Sequence, residues 1–341
     1  MRERHERGVI LVVVLFFALL LSSSVATFVR RATLDAMISR NRDAAARAAA
    51  LARGGARLAT ALVVEAKLRK ATQELPIDTT GALWAIAGDQ QIDTGDGSTL
   101  TLRINDTSSR LNLNALFDPE EGGVRDDLSV LFLRALLDNV IEKMQAAPAE
   151  KELYKTDELT NDLIDWVDRD DVRQSGGSED DYYRGQDPPY EAANRPLMSV
   201  DELRLIKGFD TPLVAALADY VTVYPFIGQS GVNPNTSPAH VLSLLYANDG
   251  VNNELAQADT VRAILDVRKN DGIICPDEIN HESCTPIREF VPNEIFPPPG
   301  YDSNAFHVRA IAAVGEVQRT VEAVVDLTQP DEPLWLSFRL R

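Results

Sequence analysis

The chain has 341 residues, 45% of them apolar and 25% charged, with a formal net charge of −18. Such acidity repels polyanions, so no nucleic-acid partner is expected, while cations or basic partners suit it; solubility is the plain alternative. There is no H-E-x-x-H, no P-loop and no G-x-S-x-G, and His5, His240, His281 and His307 lack metal-ligand spacing, so an enzyme is not expected.

In chain order, a basic leader from Met1 to Gly8 holds three arginines and two glutamates. It is followed by Val9 to Val29, 21 residues without a charge. At about 1.5 Å per residue this stretch crosses a bilayer core as one helix. Three fates are open to it: removal as a signal peptide after Ser24-Val25-Ala26, retention as a plain anchor, or cleavage between Gly8 and Val9, the prepilin pattern. The downstream residues favour the last. Leu34, Met37, Ile38, Ala45, Ala48, Leu51, Ala52, Leu58, Leu62 and Ala66 continue at three- and four-residue steps, with Arg40, Arg42, Arg47, Arg53 and Arg57 between them. One helix is therefore expected from Val9 to about Glu74, stopped by Pro76 and weakened by Gly54-Gly55 at roughly 1 kcal/mol per glycine.

Beyond Pro76, Leu83 to Ala87 and Thr99 to Asn105 read as strands, with a turn at Asp93, Gly95, Asp96 and Gly97. Ser109 to Asn114 alternates as well. The strand signal then lapses until Phe306 to Val314, which turns at Gly315-Glu316 into Val317 to Val325, and a closing strand runs from Leu334 to Arg341. Between the two sets lie helical faces: Leu128, Leu131, Phe132, Ala135, Leu136 and Val140, then Leu159, Leu163, Ile164 and Val167. Ser199 to Glu202 reads as a capping box with Met198 and Leu203 as its staple, and Thr211-Pro212 and Ser237-Pro238 as helix starts. The expected fold class is α+β: a pilin-like long N-terminal helix on a small antiparallel sheet, with a large, mainly helical insertion domain. The divisions are a leader at 1–8, a helix at 9–75 (transmembrane at 9–29), sheet at 76–116, insertion at 117–301 and sheet again at 302–341.

Leu163 to Asp168, Gly177 to Tyr183, Pro188-Pro189-Tyr190, Asn194 to Leu203, Tyr220 to Pro225 and Val232 to Ala239 together resemble GspK, the large minor pseudopilin of type II secretion systems. The resemblance implies cleavage by prepilin peptidase after Gly8, a methylated Val9, and a single pass through the bacterial inner membrane with the bulk in the periplasm. It also implies a tip complex with minor pseudopilins I and J that nucleates assembly for export across the outer membrane, and bound calcium. Most pilin-like chains carry glutamate at the fifth mature position; here that residue is Val13, which fits a subunit with no neighbour above it. The chain departs from the family pattern at Pro234, where an apolar residue is expected. A minor pilin of a type IV pilus, or a membrane-anchored periplasmic binding module, is the alternative.

The acidic loop has its own physical case. Asp165, Asp168, Asp170, Asp171, Glu179, Asp180, Asp181 and Asp187 fall within 23 residues, and Gly176-Gly177 lets the chain fold back. Crowded carboxylates repel without a cation, and calcium takes six to eight oxygens in loose geometry. The candidate ligands are Asp168, Asp170, Asp171, Glu179, Asp180 and Asn194; a solvated acidic loop is the alternative. Asn270-Asp271-Gly272 near Asp277 and Glu278 is a weaker candidate that fits a simple turn. Cys275 and Cys284 suit a disulfide outside the cytoplasm, with a three-ligand zinc site through His281 and free thiols as other readings. Val200 to Tyr224 around Lys207-Gly208-Phe209-Asp210 has the outline of a helix-hairpin-helix, although its aspartate and the acidic chain argue against phosphate binding.

Overall fold

The computed structural model describes residues 3–73, 75–88, 90–118, 122–227, 231–248 and 252–341, with 3–9 and 248 described by backbone alone. Met1 and Arg2 of the expected leader lie outside that set, as does Glu74. Helix α1 runs unbroken from Glu3 to Lys70, about 100 Å at 1.5 Å per residue, so it already includes the backbone of Gly8 and Val9. It ends six residues before Pro76, earlier than the Glu74 limit expected from the sequence. Its best 18-residue window has a mean hydropathy of 2.6 and none of it is buried, making this one helix long and apolar enough to cross a membrane.

The second half of α1 lies on a five-stranded antiparallel sheet. In chain order the strands are β1 (Gln91–Asp93), β2 (Ser98–Asp106), β3 (Ala305–Val314), β4 (Val317–Asp326) and β5 (Leu334–Leu340). They are also neighbours in that order. Alternation in β2 puts Leu100, Leu102 and Ile104 against the helix, beside Val308, Ala310 and Ala312 of β3 and Val321, Ala323 and Val325 of β4. From α1 come Ala52, Ala56, Ala59 and Val63, small side chains at helical spacing that bring the helix backbone close to the sheet. Gly55 is part of this contact: a methyl group there would sit 2.6 Å from Leu100 Cδ1 and 3.1 Å from the Ala310 Cβ. Gly54 faces open space. The β3–β4 turn is at Gly315, whose φ of 59° favours glycine.

Leu83–Ala87 is a helical turn rather than a strand. Its single buried residue, Trp84, meets Phe306 edge-on at 5.3 Å. One helical turn achieves that, and the place beside β2 is already taken by β1.

Residues 107–304 form the insertion, joined to the sheet where β2 ends and β3 begins. Leu111, Leu113, Leu116 and Phe117 belong to its core, so it starts earlier than the expected boundary at 117. Helix Asp127–Lys143 buries Phe132, Leu133, Leu136, Leu137, Val140 and Ile141 and leaves Leu131 exposed, a face turned from the one read in the sequence. Helix Thr156–Val167 buries Leu159, Leu163, Ile164 and Val167 as expected from its period. Short strands of two or three residues, such as Leu111–Asn112 beside Val221–Thr222, add a β component too brief for alternation to reveal. The expected capping box does not form. Val200–Leu205 is a 3₁₀ helix without a side-chain cap from Ser199, and Glu202 instead accepts from the Met198 N–H at 2.8 Å and Trp166 Nε1 at 3.2 Å. Met198 is exposed, so no staple forms with Leu203. The next helix, Thr211–Leu217, is capped by Asp210 rather than Thr211, and Ala239–Leu242 starts without a side-chain cap.

A buried polar cluster ties the insertion to α1. Lys70 Nζ donates to Asp78 and to Asp302, and Lys67 Nζ donates to Asp302, the Ser303 carbonyl and Asn304. Asp78 also accepts from the Ser303 N–H at 2.7 Å, and its carbonyl accepts from Asn233 Nδ2 at 3.1 Å. Burial works against the Lys70 ammonium, but Asp78 and Asp302 outweigh it and raise its pKa. Buried asparagines extend the stitching: Asn114 bonds the backbone of Leu197 and Val223, and Asn235 that of Ile274.

Two stability measurements check this packing, both by thermal melting of the full chain in detergent. Gly54→Ala is expected to stabilise by about 0.5–1 kcal/mol, whereas Gly55→Val is expected to destabilise by about 1–3 kcal/mol because Leu100 and Ala310 must shift. Lys70→Met is expected to cost about 3–5 kcal/mol, since it leaves Asp78 buried without its cation; adding Asp78→Asn should recover part of that loss.

Candidate metal centre

Helix Thr156–Val167 places Asp165 one turn before Asp168, its C-terminal cap, so both carboxylates leave the same side of the helix end. Gly176 and Gly177, with φ of 84° and 98°, then reverse the chain. The Arg173 N–H bonds the Gly177 carbonyl at 3.1 Å, and Val172 bridges Ser178. That reversal lays Glu179 over the helix end.

The result is a buried group of three carboxylates, Asp165, Asp168 and Glu179, each offering an oxygen within 4.8 Å of the others. Among the described residues it is the only such convergence of three acidic, histidine or cysteine ligands. Asp168 Oδ1 and both oxygens of Glu179 are buried without a hydrogen-bond partner. Asp165 accepts from the Gln174 N–H at 2.9 Å. Arg173 and Lys207 pair with Asp162 at 3.4 and 3.6 Å.

Burial and then the charges of Asp170 and Asp165 push Asp168 up to about 7. Burial and then Asp168 and Asp165 push Glu179 up to about 8. Burial likewise raises Asp165. Three crowded, buried carboxylates with elevated proton affinity are costly in a folded interior unless a cation joins them. The donors are all oxygen, which suits a hard ion such as calcium.

The sequence-based ligand set is only partly brought together. Asp168 and Glu179 converge, and Asp165 joins them. Its three-residue spacing from Asp168 on a predicted helix was the available signal. Asp170 and Asp171 stay on the exposed rim, where Asp170 accepts from the Val172 N–H at 2.7 Å. Asn194, held at φ 47°, donates to the Asp170 carbonyl and to Asp171 Oδ1, both at 3.2 Å, leaving its own Oδ1 unpartnered. Asp180 turns away: its oxygens accept from the Ala192 N–H at 3.0 Å and from Arg184 at 2.7 Å. Under the loop, Trp166 packs edge-on to Tyr183 and Tyr190 at 5.2 and 6.2 Å.

The weaker acidic candidate is the C-terminal turn of helix Ala258–Lys269, with Asp271 at φ 58°. Asp277 there accepts from the Arg288 N–H. Cys275 and Cys284 are joined as a disulfide with Cα atoms 5.8 Å apart, and His281 Nδ1 accepts from the Ser283 N–H. At the hairpin, Gly208 (φ 83°) packs on Leu159, and the carboxylate of Asp210 caps Leu213 and accepts from the Tyr154 hydroxyl. A carboxylate thus occupies the helix start that a phosphate would need.

Residues 109–226 match the family model for the type II secretion system (T2SS), protein K. The type II secretion system protein K of Aeromonas hydrophila is 31% identical over 279 residues, covering 78% of this chain and 77% of that one. Its namesake in Pseudomonas aeruginosa is 31% identical over 283 residues, covering 81% and 76%. A chain of the GspK-GspI-GspJ complex from the enterotoxigenic Escherichia coli type 2 secretion system shares the fold with a TM-score of 0.60, covering 89% of this chain and 99% of that one at 19% identity. With about three-quarters of the Aeromonas and Pseudomonas proteins aligned at 31% identity, the chain belongs to the type II secretion system protein K family of pseudopilins.

Proposed function

We propose that this pseudopilin caps the tip of the secretion pseudopilus, where it nucleates assembly with minor pseudopilins I and J for protein export across the outer membrane. The observation that carries the reading is the combination, in a protein K family member, of a bare apolar half-helix with a head widened by almost 200 inserted residues. A helix that is apolar all round requires lipid or other helices around it. A head broadened at the far end hinders stacking of another subunit above. Val13 supports the same position, because a carboxylate there would need an amine from a neighbour and a tip subunit has none above it.

In this reading prepilin peptidase cuts between Gly8 and Val9, Val9 is methylated, and the apolar helix holds the protein in the inner membrane with its head in the periplasm until assembly. The acidic loop holds calcium through Asp165, Asp168 and Glu179, with Asp170, Asp171 and Asn194 at its rim. The ion is structural: it would neutralise buried carboxylates and lock the loop over Trp166. The Cys275–Cys284 link fits an oxidising compartment.

Mass analysis of full-length protein, co-expressed with prepilin peptidase and pseudopilins I and J and purified in detergent, tests the function. The expected result is a ternary complex whose largest chain starts at Val9, and labelling that marks only filament tips. Recovery of the chain along filament shafts overturns the tip position.

Calcium is tested by melting. Ligand at a hundredfold excess over Kd stabilises by about 2.7 kcal/mol, so chelator should lower Tm and calcium restore it. Magnesium should substitute poorly. Glu179→Ala should abolish the response and Asp180→Ala should leave it. The pH dependence follows in sign: without a cation, folded Asp168 and Glu179 keep their protons up to about 7 and 8, whereas the unfolded chain releases them at about pH 4. The folded state binds more protons across that window, so the chelated protein should lose stability as pH rises from about 4 to 8. Calcium should flatten the slope; a Tm indifferent to chelator at every pH rejects the site.

A further inference from the structure

The two edges of the sheet are built differently. β1 is a three-residue strand, exposed throughout and followed by the acidic turn Asp93–Asp96, a short polar edge of the kind that resists pairing. At the opposite edge β5 is seven residues long, and among the described residues no strand pairs with its outer side.

The register shows which groups that side presents. Thr320 and Arg341 exchange both backbone hydrogen bonds, at 2.9 and 2.8 Å. Antiparallel ladders alternate, so Arg339, opposite Glu322, also faces β4, whereas Phe338 and Leu340 direct their N–H and C=O groups outward. Their side chains stand opposite Ala323 and Val321, on the face of the sheet that packs against α1. Yet Phe338 is 46% exposed and Leu340 38%. The apolar face thus continues past the helix to an open edge. Residues 334–341 carry two arginines and no acid in a chain of net charge −18. Arg339 and Arg341 reach Asp201 and Glu322 only at 3.8 and 3.6 Å and stay largely in solvent.

We propose that the outer edge of β5 receives an edge strand of a neighbouring minor pseudopilin, added antiparallel as a sixth strand, with apolar side chains over Phe338 and Leu340 and acidic ones beside Arg339 and Arg341. Strand addition supplies affinity through main-chain bonds, and the alternate side chains select the partner. The proposal rests on the reading of the chain as a complex-forming pseudopilin, and it names the surface through which one contact is made.

Hydrogen exchange of the full-length chain, alone and with co-purified pseudopilins I and J in detergent, tests it. The amides of Phe338 and Leu340 should exchange at least about tenfold more slowly in the complex. Leu340→Pro removes one outward N–H while sparing the β4 ladder; it should weaken assembly about five- to tenfold with little change in Tm. Phe338→Thr should weaken assembly without any backbone change. A complex that forms with unprotected Phe338 and Leu340 amides overturns this proposal alone. Protection already present in the isolated chain, a second copy occupying the edge, overturns it too. Failure to form any complex overturns the parent reading and the proposal together.

Discussion

The pairing of β2 with β3 is the constraint on which the rest of the structure depends. Nine residues of each strand match in register, from Ser98 opposite Val314 to Asp106 opposite Phe306. Almost 200 residues separate them in the chain. Closing so long a flexible loop would cost about 4–5 kcal/mol in chain entropy. The cost is reduced because the insertion folds on its own core and brings its ends together. Without the seam, the apolar residues of β2 and β3 would have no common face to offer α1, and the alanine stripe of the helix would have nothing to cover.

The join between head and helix is polar where the core is apolar. Lys67, Lys70, Asp78 and Asp302 meet where α1 ends and β3 is about to begin, and Asn233 reaches from the insertion into the same place. Asp106, at the end of β2, accepts from Thr236 and Asn233 and is raised in pKa by burial. Apolar contacts tolerate sliding, whereas hydrogen-bonded charges in a buried site hold one geometry. The cluster therefore fixes the angle between the insertion and the long helix. The acidic loop follows the same logic in miniature: a helix end and a glycine reversal bring like charges together, and a cation would join them.

Interaction surfaces remain on both parts of the pilin unit. Residues 10–29 of α1 carry no charge on any side and stay exposed, and β5 leaves backbone groups and two large side chains uncovered. Both belong to the helix-and-sheet unit, whereas the carboxylate cluster belongs to the insertion.

Much of this was determined by the sequence alone, because period is a local property. The charge-free run from Val9, the helical stripe through Ala66, and the alternation in β2, β3, β4 and β5 each follow from residues within a few positions of one another. So does the crowding of acids around Gly176-Gly177. Tertiary structure decided the rest, where partners are distant in sequence or the elements are too short to show a period. Leu83–Ala87 became a helical turn because β1 holds the place beside β2 and only Trp84 needs burial. Asp165 joins the carboxylate cluster and Asp180 stays out of it because Ala192 and Arg184 claim the latter's oxygens. The space at Gly55 is limited by a side chain 45 residues away and by a strand on the far side of the insertion. Asn112, Asn114, Asn233 and Asn235 look like turn or strand residues in sequence, yet bond backbone groups up to 155 residues distant. Such contacts depend on which buried carbonyl lacks a donor, a quantity that exists only once the chain has folded.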